Sequence, residues 1–112
     1  PLLSLSASVL LLPSEKQVPD LLRTPGEKVQ VLCIPTRNDI LYFLWYQHSP
    51  GDKTMKVIGD IDFHTVRMHE TFSKYFNISA KFSFRGVTIS LVLQPAAKQH
   101  SAVYYCASSG AH

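Results

Sequence analysis

The sequence has 112 residues, 46% of them hydrophobic and 17% charged, with a formal net charge of +3. A chain of this length holds one packed core, and its apolar content excludes intrinsic disorder. Its eleven Lys and Arg residues occur without a basic run, which argues against nucleic-acid binding, while seven Pro and five Gly among aromatic and β-branched residues favour an all-β domain.

The first twelve residues are apolar except for one proline and three serines. Two interpretations are open: residues 1–8 are the end of a secretory leader that precedes a domain at residues 9–112, or Ser8–Leu12 is the first strand of the fold. Either interpretation favours export. The segment is too short and too polar for a spanning helix, so we expect no membrane anchor in this sequence.

The two cysteines, Cys33 and Cys106, lie 73 positions apart. This spacing excludes a CxxC zinc or redox site and leaves either two unrelated buried thiols or one long-range disulfide. We favour the disulfide, which requires an oxidising compartment.

Alternation of apolar and polar residues predicts the first strands of the domain. Val29–Cys33 alternates with its cysteine on the apolar face, and Ile40–Gln47 is aromatic with Trp45 pointing inward. After a turn, Met55–Ile58 is predicted to return as a short strand. Gly59–Glu70 is irregular and mixed, which indicates an exposed loop or a weak edge strand.

Two longer alternating runs predict a hairpin with one apolar face. They are Phe76–Phe84 and Val87–Leu93, with a turn at Arg85-Gly86 between them. Pro95–Ser101 is a polar crossover, and Val103–Ala107 is the last predicted strand. Apolar residues at every second position would not lie on one face of a helix, so these runs are not predicted to be helical.

A cysteine, a tryptophan twelve residues later and a Tyr-x-Cys near the end form the pattern of an immunoglobulin sandwich. In that pattern an inter-sheet disulfide, a packed tryptophan and a buried tyrosine form one unit. The predicted core members are Cys33, Trp45, Leu91, Tyr104 and Cys106.

Three segments resemble the framework of V-type immunoglobulin domains: Gly26-Glu27-Lys28-Val29, Trp45-Tyr46-Gln47-His48-Ser49-Pro50-Gly51 and Ser101-Ala102-Val103-Tyr104-Tyr105-Cys106-Ala107-Ser108-Ser109. The Cys-Ala-Ser-Ser ending resembles that of T-cell receptor beta-chain variable segments, and the Trp45 and Met55 segments look more like the beta chains of bony fish than of mammals. The resemblance implies a two-sheet V-type sandwich with Greek-key connections and with strand G missing or truncated at the C-terminus. Its strand F would then have an unpaired edge.

The resemblance also implies a function: antigen recognition at the cell surface, on the extracellular side of the plasma membrane, as part of a longer chain. Such a domain binds peptide–MHC through its loops when it is paired with a T-cell receptor alpha-chain variable domain. The antigen-loop candidates are Thr36, Arg37, Asn38, Asp39, Asp60, Asp62, His64, Ser108, Ser109 and Gly110. The predicted partner-chain interface comprises Tyr46, His48, Met55 and Tyr105.

Other functions receive little support. His64 and His69 have no carboxylate at helical spacing, and Asp60 and Asp62 lie in one polar segment without an apolar pocket between them. We therefore expect no enzyme activity, metal, cofactor or small-molecule substrate. The alternative function is a non-rearranging V-type adhesion or inhibitory receptor domain that binds a protein through its sheet face.

Two single positions add to these expectations. Asn77-Ile78-Ser79 is an acceptor sequence for an N-linked glycan, with Asn77 on the polar face of its predicted strand. His100 stands where the family commonly has an aspartate that pairs with a basic residue. The resemblance therefore implies that this salt bridge is absent here.

Overall fold

A computed structural model describes the backbone of residues 3–11, 14–23, 26–35 and 41–108, and the side chains of residues 26–35 and 41–108. These residues form strands joined by turns, with one 3₁₀ turn at Lys98–His100. The strands are β1 Leu3–Leu11, β2 Ser14–Arg23, β3 Val29–Cys33, β4 Tyr42–His48, β5 Lys56–Asp62, β6 Thr65–Met68, β7 Phe76–Ser83, β8 Gly86–Leu93 and β9 Ala102–Ser108.

The strands lie in two sheets. One has six strands in the order β2-β1-β9-β4-β5-β6, and the other has three in the order β3-β8-β7. Neighbouring strands are antiparallel, except that β1 runs parallel to β9. This arrangement confirms the predicted all-β V-type sandwich.

The core lies between the two sheets because each strand buries alternate residues. In β3, Val29, Val31 and Cys33 are buried while the residues between them are exposed. Cys33 forms a disulfide with Cys106 of β9, which ties the three-stranded sheet to the six-stranded one and confirms the predicted bridge. Trp45 pairs with Cys106 across the β4–β9 ladder, and neither residue is exposed. Leu91 and Tyr104 are also buried.

The prediction of an unpaired edge along the last strand was wrong. Strand β1 lies beside β9 with a register that runs from Leu5 opposite Ala102 to Leu10 opposite Ala107. The edge of β9 would otherwise present unpaired backbone N–H and C=O groups, and β1 supplies partners for them. Strand β1 begins at Leu3, earlier than the predicted strand at Ser8–Leu12. Removal of residues 1–8 as a leader stays a prediction.

The segment Gly59–Glu70 was predicted to be an exposed loop or a weak edge strand. Part of it is an edge strand. Strand β5 continues through Asp62, and Thr65–Met68 forms the edge strand β6. At Gly59 a Cβ atom would lie 2.5 Å from the Arg67 carbonyl oxygen and 3.2 Å from Ile78 Cδ1. The glycine therefore permits close packing inside a strand rather than marking a loop.

Candidate functional site

Two tyrosines face each other on the outer side of the six-stranded sheet. Tyr46 of β4 pairs with Tyr105 of β9, and both side chains are half-buried. Val57 of β5 pairs with Tyr46 on its other side and is 41% exposed, and Met55, two residues earlier, is 46% exposed. We call Tyr46, Met55, Val57 and Tyr105 the tyrosine face. Sequence analysis missed Val57, although its alternation with Met55 could have indicated it.

His48 lies two residues beyond Tyr46 and is half-buried. Its Nε2 hydrogen donates to the carbonyl oxygen of Asp52 at 2.9 Å. This hydrogen bond links the end of β4 to the turn that leads into β5.

An aromatic cluster occupies the turn between β5 and β6. The rings of Phe63 and His64 in this turn lie 4.0 Å apart, and both approach the ring of Phe82 on β7, at 5.2 and 4.9 Å. Phe63 is 48% exposed and has a φ of 56°. A bulky residue rarely adopts this left-handed conformation, so the surrounding contacts hold the ring in place. Of these three rings, sequence analysis had indicated only His64.

Asp60 is not a loop residue, which corrects its assignment as an antigen-loop candidate. Its carboxylate accepts hydrogen bonds from the Tyr42 hydroxyl and from Arg67 Nε, both at 2.8 Å. These bonds to Asp60 raise the pKa of the Tyr42 hydroxyl and of the Arg67 guanidinium. Asp60 therefore bridges β4 and β6 from its place in β5. Asp62, the last residue of β5, is exposed.

The other antigen-loop candidates are only partly described. Ser108 is half-buried at the end of β9. The candidates that lie outside the described residues are Thr36, Arg37, Asn38, Asp39, Ser109 and Gly110. The structure thus describes one predicted recognition segment in full, residues 60–65, which comprise the end of β5, the turn at Phe63 and His64, and the first residue of β6.

The chain is similar to T cell receptor beta variable 2 of Homo sapiens. The two are 28% identical over 98 residues, which cover 81% of this chain and 82% of the relative. This chain is a homologue of that human variable segment. No protein-family model matches the sequence. The resemblance to beta chains of bony fish stays a prediction.

The sandwich has a buried tyrosine that ties β9 to the crossover before it. The Tyr104 hydroxyl donates to the His100 carbonyl oxygen at 2.6 Å and accepts from Gln47 Nε2 at 3.2 Å. Burial raises the pKa of Tyr104 to about 12, so this hydroxyl keeps its proton at neutral pH. The resemblance to immunoglobulin domains implies a bond from this hydroxyl to the backbone near Pro95–Gln99. The observed acceptor, His100, is the next residue and lies within the crossover Pro95–Ser101.

His100 packs between aromatic side chains. The ring centroids of Tyr75 and Phe76 both lie 5.5 Å from its own. Its Nδ1 accepts a hydrogen bond from the backbone N–H of Ala97 at 3.0 Å, which requires a neutral ring with the proton on Nε2. Burial lowers the pKa of His100 below its usual 6.5.

We expect the stability of this domain to fall on acidification in a way that depends on His100. Because the pKa is lower in the folded state, the unfolded chain binds this proton first. The stability that depends on the neutral His100 ring is fully present above pH 6.5, the usual histidine pKa in the unfolded chain. It is lost as the pH falls from 6.5 to the lower pKa of His100 in the folded state. Denaturant midpoints measured between about pH 5 and 8 test this.

The matched variant is His100→Gln, which keeps an acceptor and removes the titration. Its unfolding free energy should change less with pH across this window than that of the wild type. Equal slopes for the two proteins would contradict the assignment to His100. The three other histidines whose side chains are exposed or half-buried on the surface, His48, His64 and His69, are present in both proteins.

Within residues 26–35 and 41–108, His, Cys, Asp and Glu side chains do not assemble into a group of three or more that could hold a metal ion. The part of the chain that the structure describes has no helix with the length and hydropathy needed to cross a membrane.

Proposed function

We propose that this domain is the antigen-recognition variable domain of a T-cell receptor beta chain. It binds peptide–MHC through its loops and is displayed on the extracellular side of the plasma membrane as part of a longer chain. The tyrosine face pairs with an alpha-chain variable domain. The observation that carries the proposal is the similarity to a human beta variable segment over 81% of the chain.

The tyrosine face supports the pairing step. Aromatic and methionine side chains are enriched at protein interfaces, where a few of them contribute much of the affinity. Tyr46 and Tyr105 adjoin in one ladder, and the exposed Val57 beside Tyr46 extends the same area. Met55, also exposed, lies two residues before Val57 at the entry to β5. A partner domain that covered this area would remove it from water.

The turn between β5 and β6 supports the recognition step. A rigid sandwich holds this turn, and ring contacts to Phe82 restrain Phe63 and His64. A restrained aromatic loop loses little conformational entropy when it binds. The two exposed residues of this turn therefore offer a preformed contact surface to a ligand.

Pairing can be tested on a complete beta chain that carries this domain, coexpressed with its alpha chain. We expect Tyr105→Ala to weaken recovery of the pair about tenfold, as for an interface anchor. Met55→Asp should also weaken it because it places a charge in the contact. The matched control is Leu32→Asp on the outer side of β3, since Leu32 and Met55 are both 46% exposed.

Equal recovery of the pair in Met55→Asp, Tyr105→Ala and wild type would remove the tyrosine face from the proposal. A chain that reaches the surface without any alpha chain would favour the adhesion or inhibitory receptor alternative. Equal losses in Met55→Asp and Leu32→Asp would indicate a general folding defect and would contradict a specific role for this face.

A further inference from the structure

We propose that Asn77 carries an N-linked glycan that covers the outer face of the three-stranded sheet. Asn77 and Ser79 of the acceptor sequence are both exposed, and the residue between them, Ile78, is buried. The two polar side chains therefore project from the same outer face of β7. Asn77 is the only asparagine of the chain with a Ser or Thr two residues later.

The position of β7 makes room for a large group. Among the described strands, in the order β3-β8-β7, this strand lies at the edge, so one side of Asn77 faces no described strand of this sheet. On its other side Asn77 pairs with Val92, which pairs in turn with Gln30. A sugar attached to Asn77 can thus extend outward or lie across this row, which spans roughly 10 Å from β7 to β3.

The face beneath such a glycan has apolar side chains that remain in contact with water. Leu32 is 46% exposed on β3, and Val92 is half-buried on β8. A hydrated carbohydrate over these side chains would keep the surface soluble and block its association with other proteins. The tyrosine face lies on the other sheet and would stay accessible.

The disulfide supports the required cellular location. Cys33 and Cys106 are bonded, and such bonds form in the same secretory compartments where asparagines are glycosylated. In the transfer step, Asn77 Nδ2 forms a bond to C1 of an oligosaccharide carried by a lipid diphosphate. The bond from C1 to the diphosphate oxygen breaks, the lipid diphosphate leaves, and the amide nitrogen loses one proton.

The test is secretion of the chain from a eukaryotic cell followed by intact mass measurement. We expect an added mass on the wild type that peptide N-glycosidase removes, leaving Asp at position 77. Asn77→Gln and Ser79→Ala should both lack this mass, and Ser79→Thr should keep it. The two loss variants differ in which residue of the acceptor sequence is changed, so agreement between them assigns the modification to this sequence.

Coverage of the sheet is measured separately by lysine acylation. Lys81 is exposed on the same face of β7, whereas Lys53 is exposed in the turn before β5. Removal of the glycan should raise the acylation rate of Lys81 and leave that of Lys53 unchanged. Equal changes at both lysines would overturn the coverage.

Secreted wild type and Ser79→Thr without any glycosidase-sensitive mass would overturn the glycan itself. Neither measurement depends on an alpha chain, so both can be interpreted even if the proposed pairing does not occur. Where pairing does occur, Asn77→Gln should preserve it, because the glycan and the tyrosine face lie on different sheets.

Discussion

Replacement of both cysteines, Cys33→Ala with Cys106→Ala, is expected to lower the free energy of unfolding by roughly 4 kcal/mol. The bridge closes a loop of 73 residues and thereby restricts the unfolded chain. A small domain has only about 5–15 kcal/mol in total, so the variant should unfold at much lower denaturant concentration or fail to fold. Equilibrium denaturation of the oxidised wild type and of the variant measures the difference.

Two controls separate the bond from the packing of its sulfur atoms. The reduced wild type keeps both sulfurs and should lose most of the same stability. Titration of the unfolded, unreduced wild type should find no free thiols. Unfolding free energies of the variant and the wild type that agree within about 1 kcal/mol would refute the expected contribution.

Tyr104→Phe is expected to destabilise the domain by about 2 kcal/mol. The ring stays in place, but the His100 carbonyl and the Gln47 amide lose the hydroxyl that they share. Tyr104 is 1% exposed, so water cannot readily replace the lost partner. Denaturant unfolding at neutral pH gives the magnitude.

The matched control is Tyr105→Phe, the same chemical change at the next residue of β9. Its side chain points to the opposite side of the strand and is half-buried, so the expected effect is below about 0.5 kcal/mol. Similar losses for the two variants would contradict a special role of the buried hydroxyl. A loss for Tyr104→Phe that is absent in a Gln47→Leu background would assign the effect to the Gln47 contact alone.

The two expectations concern one structural unit that positions the proposed interface. Tyr104 and Cys106 point into the core, and Tyr105 between them points outward to Tyr46. The bonds that hold β9 in register therefore also place the outward tyrosine. A loosened core would disturb the tyrosine face even without a change at its surface.

The sequence was sufficient for the parts of the fold where one side of a strand is buried. The predicted strand Val29–Cys33 coincides with β3, and the buried positions of β8 are those predicted from its alternation. When one face of a strand is buried, alternation of apolar and polar residues determines which side chains point into the core. The spacing of Cys33, Trp45 and Tyr104 indicated an immunoglobulin sandwich, and each of these residues is buried in its interior.

Local pattern was insufficient where a polar residue finds its partner on another strand. Asp60 was predicted to lie in a loop, yet it lies in a strand. Its carboxylate accepts hydrogen bonds from Tyr42, 18 positions away, and from Arg67, 7 positions away. Phe84 was predicted to belong to an apolar strand face, yet it lies in the turn between β7 and β8 and is 93% exposed. Its burial depended on how far the opposing sheet extends, which no local pattern contains.

The neighbour of β9 is the clearest case that only the tertiary structure decided. Side-chain alternation identified this strand and its inward residues Tyr104 and Cys106, but not what would lie along its edge. Backbone hydrogen bonds are alike for every residue except proline, so any extended segment can supply them. The segment that does so is β1, from the opposite end of the chain. The sequence by itself thus determined the fold class, the disulfide and the core, whereas the order of strands depended on contacts between segments far apart in the chain.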